Sequence, residues 1–118
     1  MLIRYKKDFE KIAMGLLSFM PEEKRDVKKL QQTMKAYEEN SNWQLFLWRD
    51  EDILGAVGIR LEDDMHVIIQ HISVNPSHRN TGIGKKMIEA IKTQFGEKYT
   101  IQADNFTEGF YKQCLMPE

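Results

Sequence analysis

The sequence predicts an α/β fold of the α+β kind, a mixed and mostly antiparallel sheet in the order β–α–α–β–β–β–α–β–α. Three observations carry this expectation. Before residue 42, two stretches repeat apolar residues at helical spacing. Residues 43–74 change to extended aromatic and aliphatic runs broken by short acidic turns. Residues 66–103 then alternate strand, helix and strand.

The elements follow in chain order. Leu2–Tyr5 is short and apolar and reads as an edge strand. Asp8 is placed to cap a helix carrying Phe9, Ile12, Ala13, Leu16 and Leu17, which Pro21 ends. A second helix aligns Val27, Leu30, Met34 and Tyr37 and stops at Asn40-Ser41-Asn42. Trp43–Arg49 and Ile53–Leu61 flank the hairpin turn Asp50-Glu51-Asp52, and Glu62-Asp63-Asp64 leads into His66–Val74. Three such strands with short links form an antiparallel meander. Asn75-Pro76 closes the fourth strand, because proline lacks a ladder donor and restricts its predecessor. A helix over 82–95 then shows Ile83, Met87, Ile88, Ile91 and Phe95 on one side, with Gly96 as its stop. Tyr99–Ala103 alternates as a fifth strand, which the handedness rule sets parallel to the fourth. A last helix holds Phe106, Phe110 and Tyr111.

A chain of 118 residues suits one domain, 1–118, and 42% hydrophobic residues suffice for one packed core. The formal net charge of −1 removes a global basic field for nucleic acid. Cys114, the one cysteine, excludes an internal disulfide and fits a reducing compartment. The apolar run Ile12–Met20 follows lysines as a leader would. However, Asp8 and Glu10 occupy the leader's positive region, no small-x-small cleavage site follows, and Pro21-Glu22-Glu23 interrupts. The run is also about half the roughly 20 residues that a membrane span requires. It reads as a buried helix of a cytoplasmic protein with no membrane partner.

The chemistry concentrates in Ile72-Ser73-Val74-Asn75-Pro76-Ser77-His78-Arg79-Asn80-Thr81-Gly82-Ile83-Gly84-Lys85. A strand ends, a polar turn with two glycines follows, and a helix begins. The first amides of a helix lack intrahelical partners and form the positive end of its dipole. Glycines at 82 and 84 let the backbone approach an anion, so the segment is a candidate diphosphate cradle. Two rival phosphate motifs fail on spacing. A dinucleotide fingerprint needs a third glycine where Met87 stands, and a Walker loop needs Ser or Thr where Lys86 stands.

Arg79-Asn80-Thr81-Gly82-Ile83-Gly84 matches the (Gln/Arg)-x-x-Gly-x-(Gly/Ala) signature of GNAT acetyltransferases, and Ile72-Ser73-Val74-Asn75-Pro76 resembles that family's fourth strand and its exit. With the element order, the resemblance extends over essentially the whole chain. It implies a GNAT-like sheet in which strands four and five splay apart. It also implies acetyl-CoA as cosubstrate. Arg79, Asn80, Thr81, Gly82, Ile83, Gly84 and Lys85 would lie around its pyrophosphate, and the main chain of Ile72, Ser73 and Val74 would lie along its pantetheine arm. In length and in the segment His71–Gly84 the chain is similar to a small acetyltransferase-like protein encoded among riboflavin-biosynthesis genes in some bacteria. That likeness suggests a cellular context and not a substrate.

The resemblance further implies direct transfer of acetyl to a primary amine of a small molecule or a protein. Such transfer requires a deprotonated amine, an oxyanion donor and a proton for the departing thiolate. The family's oxyanion donor is a fourth-strand amide, here near Ile72–Val74. Tyr111 of Phe110-Tyr111 resembles the family's proton-donating tyrosine; the plainer reading is a core tyrosine. The family's asparagine seven positions earlier is replaced by Asp104, with Asn105 one place off. His71, beside the pantetheine path, is the candidate base. Alternation sets it opposite Ile72 and Val74, so it can equally cap the core, and water can serve as base instead. No metal is expected: His66 and His71 fall on opposite faces of a regular strand, and no His-Glu-x-x-His or paired-Cys spacing occurs. Family members commonly continue past the tyrosine helix with two more strands, whereas Leu115-Met116-Pro117-Glu118 follows here. That departure leads to the expectation of a homodimer. The alternative to an enzyme is a catalytically silent CoA-binding sensor or scaffold module; a purely structural domain with an accidental glycine turn is the third reading.

Overall fold

The computed structural model describes residues 1–20, 26–79 and 81–115. Five strands form one sheet in the order β1-β2-β3-β4-β5, with β1 at Leu2–Arg4, β2 at Trp43–Asp50, β3 at Asp52–Glu62, β4 at His66–Val74 and β5 at Thr100–Ala103. The pairs β1–β2, β2–β3 and β3–β4 are antiparallel and β4–β5 is parallel. The helices are α1 (Glu10–Leu17), α2 (Val27–Glu39), α3 (Ile83–Phe95) and α4 (Glu108–Leu115). The fold is the mixed sheet that the element order predicts.

Alternation along the strands divides the core between two faces. Phe46, Val57, Ile59, Val67, Ile69, Ile72 and Val74 meet Ile83, Met87, Ile88 and Ile91 of α3. On the other face Leu45, Leu47 and Ala56 meet Ala13, Leu16 and Leu17 of α1 and Leu30, Met34 and Tyr37 of α2. Each aliphatic side chain buried in this way contributes about 1.5–3 kcal/mol. The Asp26 carboxylate accepts the Lys29 backbone N–H at 3.1 Å and caps α2, a contact worth about 1 kcal/mol.

The hairpins turn on acidic residues. Glu51 has φ 64°, and Asp63 and Asp64 have φ 51° and 60°. The last two are the central pair of a type I′ turn, which Met65 N–H closes by donating to the Glu62 carbonyl at 3.2 Å.

Two local expectations change, at Asp8 and Phe106, and Gly96 stops its helix for a different reason. Asp8 lies inside a 3-10 turn, Lys7–Phe9, and α1 starts after Phe9 with no side-chain cap. Gly96 stops α3 with right-handed φ −67°; it is glycine because a Cβ there would strike the Lys92 carbonyl. Phe106 precedes α4 and is 66% exposed, so it is no part of the core stripe. Pro21, expected to end the first helix, lies outside the described residues, as do Met116, Pro117 and Glu118; α1 itself ends at Leu17. Among the described residues, no helix is long and apolar enough to cross a membrane.

Candidate functional site

The site begins where β5 leaves β4. The parallel pairing covers only His66↔Thr100, Val67↔Ile101, Ile68↔Gln102 and Ile69↔Ala103. At the fork, the Ile69 carbonyl accepts two bonds. Asp104 N–H donates at 3.1 Å and the Thr107 hydroxyl at 2.6 Å. Thr107 is buried, so this second bond is shielded from water. Beyond the fork, residues 70–74 keep β3 on one side and have no strand on the other among the described residues. A free strand edge offers main-chain groups to an extended, amide-bearing ligand.

The edge runs into a built turn. Asn75 Oδ1 accepts Ser77 N–H at 2.9 Å, and Asn75 N–H is tied to the Leu54 carbonyl at 2.8 Å. The Thr81 hydroxyl donates to the His78 carbonyl at 2.5 Å. Gly82, the N-cap of α3, takes left-handed φ 84°, and a Cβ built there would meet nothing within 4 Å. The first bond of α3 runs from Lys86 N–H to the Gly82 carbonyl. Among the described residues, no acceptor meets the backbone N–H of Ile83, Gly84 or Lys85. These are the amides left over at any helix start, and here no side chain caps them. Charge points the same way: no Asp or Glu occurs from Met65 to Ile88, while Arg79, Lys85 and Lys86 surround the turn. Uncapped amides, open space over Gly82 and an acid-free cationic loop fit a diphosphate.

The two glycines differ in purpose. A Cβ at Gly84 would come 2.6 Å from the Phe110 ring and 3.3 Å from Cys114 Sγ. Gly84 is therefore needed for α4 to pack on α3, whereas Gly82 supplies the left-handed turn and the open approach.

Of the other predicted site residues, Ile72 and Val74 point into the α3-side core, while Ser73 faces α1 and donates its hydroxyl to the Leu16 carbonyl at 2.6 Å. Arg79 is exposed, Ile83 is buried and Lys85 is half-buried. Asn80 lies outside the described residues. Tyr111 is half-buried against the α3-side cluster, with Lys92 Nζ 5.6 Å from its ring centre. His71 is on the opposite face, its Nδ1 2.5 Å from the Tyr37 hydroxyl of α2. The candidate acid thus packs on the α3 side of the sheet and the candidate base on the α2 side.

Strand alternation sets His71 opposite Ile72 and Val74, as found; what the sequence did not reveal lies beside it. Between Gly58↔His71 and Ile59↔Ile69, Gln70 is an extra residue, a β-bulge. The bulge turns Gln70 and His71 to the same face, where the Gln70 amide donates to the Tyr37 hydroxyl at 3.0 Å. Two adjacent polar residues inside an apolar strand were the available signal. The bulge also overturns the argument that His66 and His71 sit on opposite faces, since the strand between them is irregular. What separates them is length, about 16 Å at roughly 3.3 Å per residue, and His66 instead pairs with Asp63 at 2.8 Å.

Three further features bear on the chemistry. Asp104 Oδ1 accepts the N–H groups of Phe106 and Thr107 and the Thr107 hydroxyl, so it serves as the cap of α4. Burial pushes the Cys114 thiol up against the opposing charge of Lys85, which keeps it a thiol. A groove of about 250 Å³ lies between β1 and α2, lined by Tyr5, Tyr37 and Glu38 among others, away from the β4–α3 turn. Among the described residues, no group of three or more His, Cys, Asp or Glu side chains could hold a metal.

Known proteins are similar to this chain in sequence and in fold. The model of the acetyltransferase (GNAT) family matches residues 8–114. An uncharacterized N-acetyltransferase in the lysA 3′ region of Bacillus methanolicus is 57% identical over 115 residues, covering 97% of this chain and 94% of that protein. Its name puts that gene near lysA, so a riboflavin-gene neighbourhood finds no support there. The structure of a possible acetyltransferase from Clostridium difficile 630 superposes with a TM-score of 0.74 at 15% identity, covering 100% of this chain and 90% of that one. An aminoglycoside N-acetyltransferase in complex with CoA gives 0.71 at 16% identity, covering 100% and 88%. At such identities the superpositions speak for the fold, while the family match and the Bacillus relative speak for descent: this chain belongs to the GNAT family and is an acetyltransferase.

Proposed function

We propose that the chain transfers acetyl from acetyl-CoA directly to a primary amine of a small molecule or a protein. The observation that carries this reading is the succession of the β4 edge at 70–74, which has no strand opposite β3 among the described residues, and the uncapped amides of Ile83, Gly84 and Lys85. One suits the amides of a pantetheine arm and the other its diphosphate. Arg79, Asn80 and Thr81 complete the loop around the phosphates, and Ile72, Ser73 and Val74 supply the strand. Acetyl-CoA brings the activated thioester. The chain's share is to align it on β4, to hold the developing oxyanion on a β4 amide, and to manage two protons. Tyr111 gives one to the departing sulfur, and His71 receives the one leaving the amine. The reading extends to a homodimer, supported by the outer edge of β5, which has no strand neighbour among the described residues; sedimentation as a monomer removes that part.

One observation favours a silent CoA-binding module instead. Asp104 puts a carboxylate, already committed to capping α4, where the resembled family carries an asparagine that contacts CoA.

An amine-dependent thiol-release assay with acetyl-CoA separates the two readings. Turnover with some amine in a broad library, lost in Gly82→Asp together with CoA affinity, supports the enzyme. Tyr111→Phe should lower kcat by about 10²-fold or more, with CoA affinity kept. CoA binding without thiol release from any amine supports the silent module, and no CoA binding at all defeats both.

A further inference from the structure

A carbonyl oxygen has two lone pairs, and the Ile69 carbonyl at the fork fills them from different sources. The first bond, from Asp104 N–H at 3.1 Å, ends the β4–β5 ladder. Alternation would aim the next such donor, Phe106 N–H, at β4 again, but Asp104 Oδ1 accepts it at 3.0 Å. The same oxygen accepts Thr107 N–H at 2.9 Å, so the chain leaves the sheet here. The second bond on Ile69 comes from the Thr107 hydroxyl at 2.6 Å, with Asp104 Oδ1 3.0 Å from that hydroxyl. Thr107 is 1% exposed, and water does not compete for the contact. Thr107 also opens α4, because its carbonyl accepts Tyr111 N–H at 2.9 Å. Residues four apart on a helix share a face, and their side chains lean toward the helix N-terminus. The bond to Ile69 therefore sets which face of α4 meets β4, and the Tyr111 side chain on that face leans back toward the fork.

We infer that Thr107 is a positioning residue for the transfer. By bonding the last paired carbonyl of β4, its hydroxyl holds the start of α4, and with it Tyr111, at the head of the free edge 70–74. The inference rests on the reading of Tyr111 as proton donor to the departing sulfur. Proton delivery tolerates little displacement, because donor and acceptor must come within about 2.6–3.2 Å. Phe110 and Cys114 also pack α4 against Gly84 of α3, but apolar contact is non-directional. A buried hydrogen bond at the root of the helix adds the direction that packing lacks.

The test uses the full chain labelled with ¹³C at tyrosine, as wild type, Thr107→Val and Thr107→Ser, with Tyr111→Phe to assign the signal. Valine keeps the shape of threonine and removes the donor, while Ile69 retains its ladder bond, so the variant should fold; Thr107→Ala serves if it does not. Calorimetry gives the affinity of each protein for acetyl-CoA. At saturation, acetyl-CoA should shift the Tyr111 ring signal in wild type and in Thr107→Ser, and should shift it less in Thr107→Val. With an amine from the thiol-release screen, kcat should fall about tenfold or more in Thr107→Val at unchanged KM for acetyl-CoA, and recover in Thr107→Ser. A merely structural hydroxyl would lower the unfolding midpoint and leave both readouts alone. A wild-type Tyr111 response, or a wild-type kcat, in the folded valine variant overturns the proposal. A Tyr111 signal unmoved in the saturated wild type takes Tyr111 away from the sulfur and the proposal with it, while the cofactor reading stands. Absence of acetyl-CoA binding in the wild type defeats that reading itself, and the proposal falls with it.

Discussion

Gly82 and Gly84 are two residues apart and answer to different constraints. At Gly82 an added Cβ meets open space, but φ 84° is left-handed, and any L-residue there is strained by about 1–2 kcal/mol. At Gly84 the backbone is helical and the obstacle is Phe110 with Cys114. Forcing a methyl into that contact costs about 1–3 kcal/mol, as overpacking does elsewhere. We therefore expect Gly82→Ala and Gly84→Ala to lower stability similarly but by separable routes. Proteolysis or amide exchange should show α4 loosened in Gly84→Ala and intact in Gly82→Ala. Equal protection of α4 in both variants would contradict the assignment of Gly84 to helix packing. The glycine spacing itself was legible in the chain. The division of labour was not, because Phe110 lies far along the sequence and reaches Gly84 only when α4 docks.

At the scale of elements, α2 is fastened to the exit of β1 by a small charged cluster. Tyr5 donates to Glu38 at 2.8 Å, and Lys7 pairs with Glu38 at 3.2 Å. Burial works to raise the Glu38 carboxyl, but the Tyr5 and Lys7 bonds outweigh it, and the net position is below the ordinary glutamate range. Burial, reinforced by Glu38, pushes the Tyr5 phenol well above its usual value. A carboxyl that releases its proton more readily in the folded state stabilises that state fully above the ordinary glutamate range. The contribution is lost as pH falls through that range to the lowered native value. Lys7 is exposed, so solvent screening keeps the effect small. Urea midpoints of wild type and Glu38→Gln should differ more at pH 7 than at pH 3; an equal gap at both would refute the linkage. Helices and strands themselves were legible from periodicity, including β2, β3 and β4 within a few residues. The bulge at Gln70 was not, since it depends on how β3 registers against β4, and it brings Gln70 onto the face of His71.

At the scale of the whole molecule, one sheet carries a core on each face, and neither face is complete without the strands they share. The Cα radius of gyration, 13.3 Å, is close to the about 13.5 Å expected of a single compact domain of this length. We therefore expect cooperative unfolding. The two tryptophans report separately, because Trp43 packs with the α1–α2 side and Trp48 with the α3 side. Fluorescence of Trp43→Phe and of Trp48→Phe should each give a transition coincident with far-UV circular dichroism of the same variant. Disagreement between probes within one variant would split the chain into separately stable layers.

The sequence by itself determined the order of elements, the three-strand meander, the parallel return of β5 and the glycine turn, because each is written in local periodicity or turn chemistry. It also contained the family signature around Arg79–Gly84. Only the tertiary structure decided which polar groups meet: Thr107 with the Ile69 carbonyl at the fork, Tyr37 with His71, and Phe110 with Gly84. Those partners are 26 to 38 residues apart in the chain. Local pattern fixes which face an element buries, while contacts across such separations depend on register, bulges and helix docking, which no local pattern encodes.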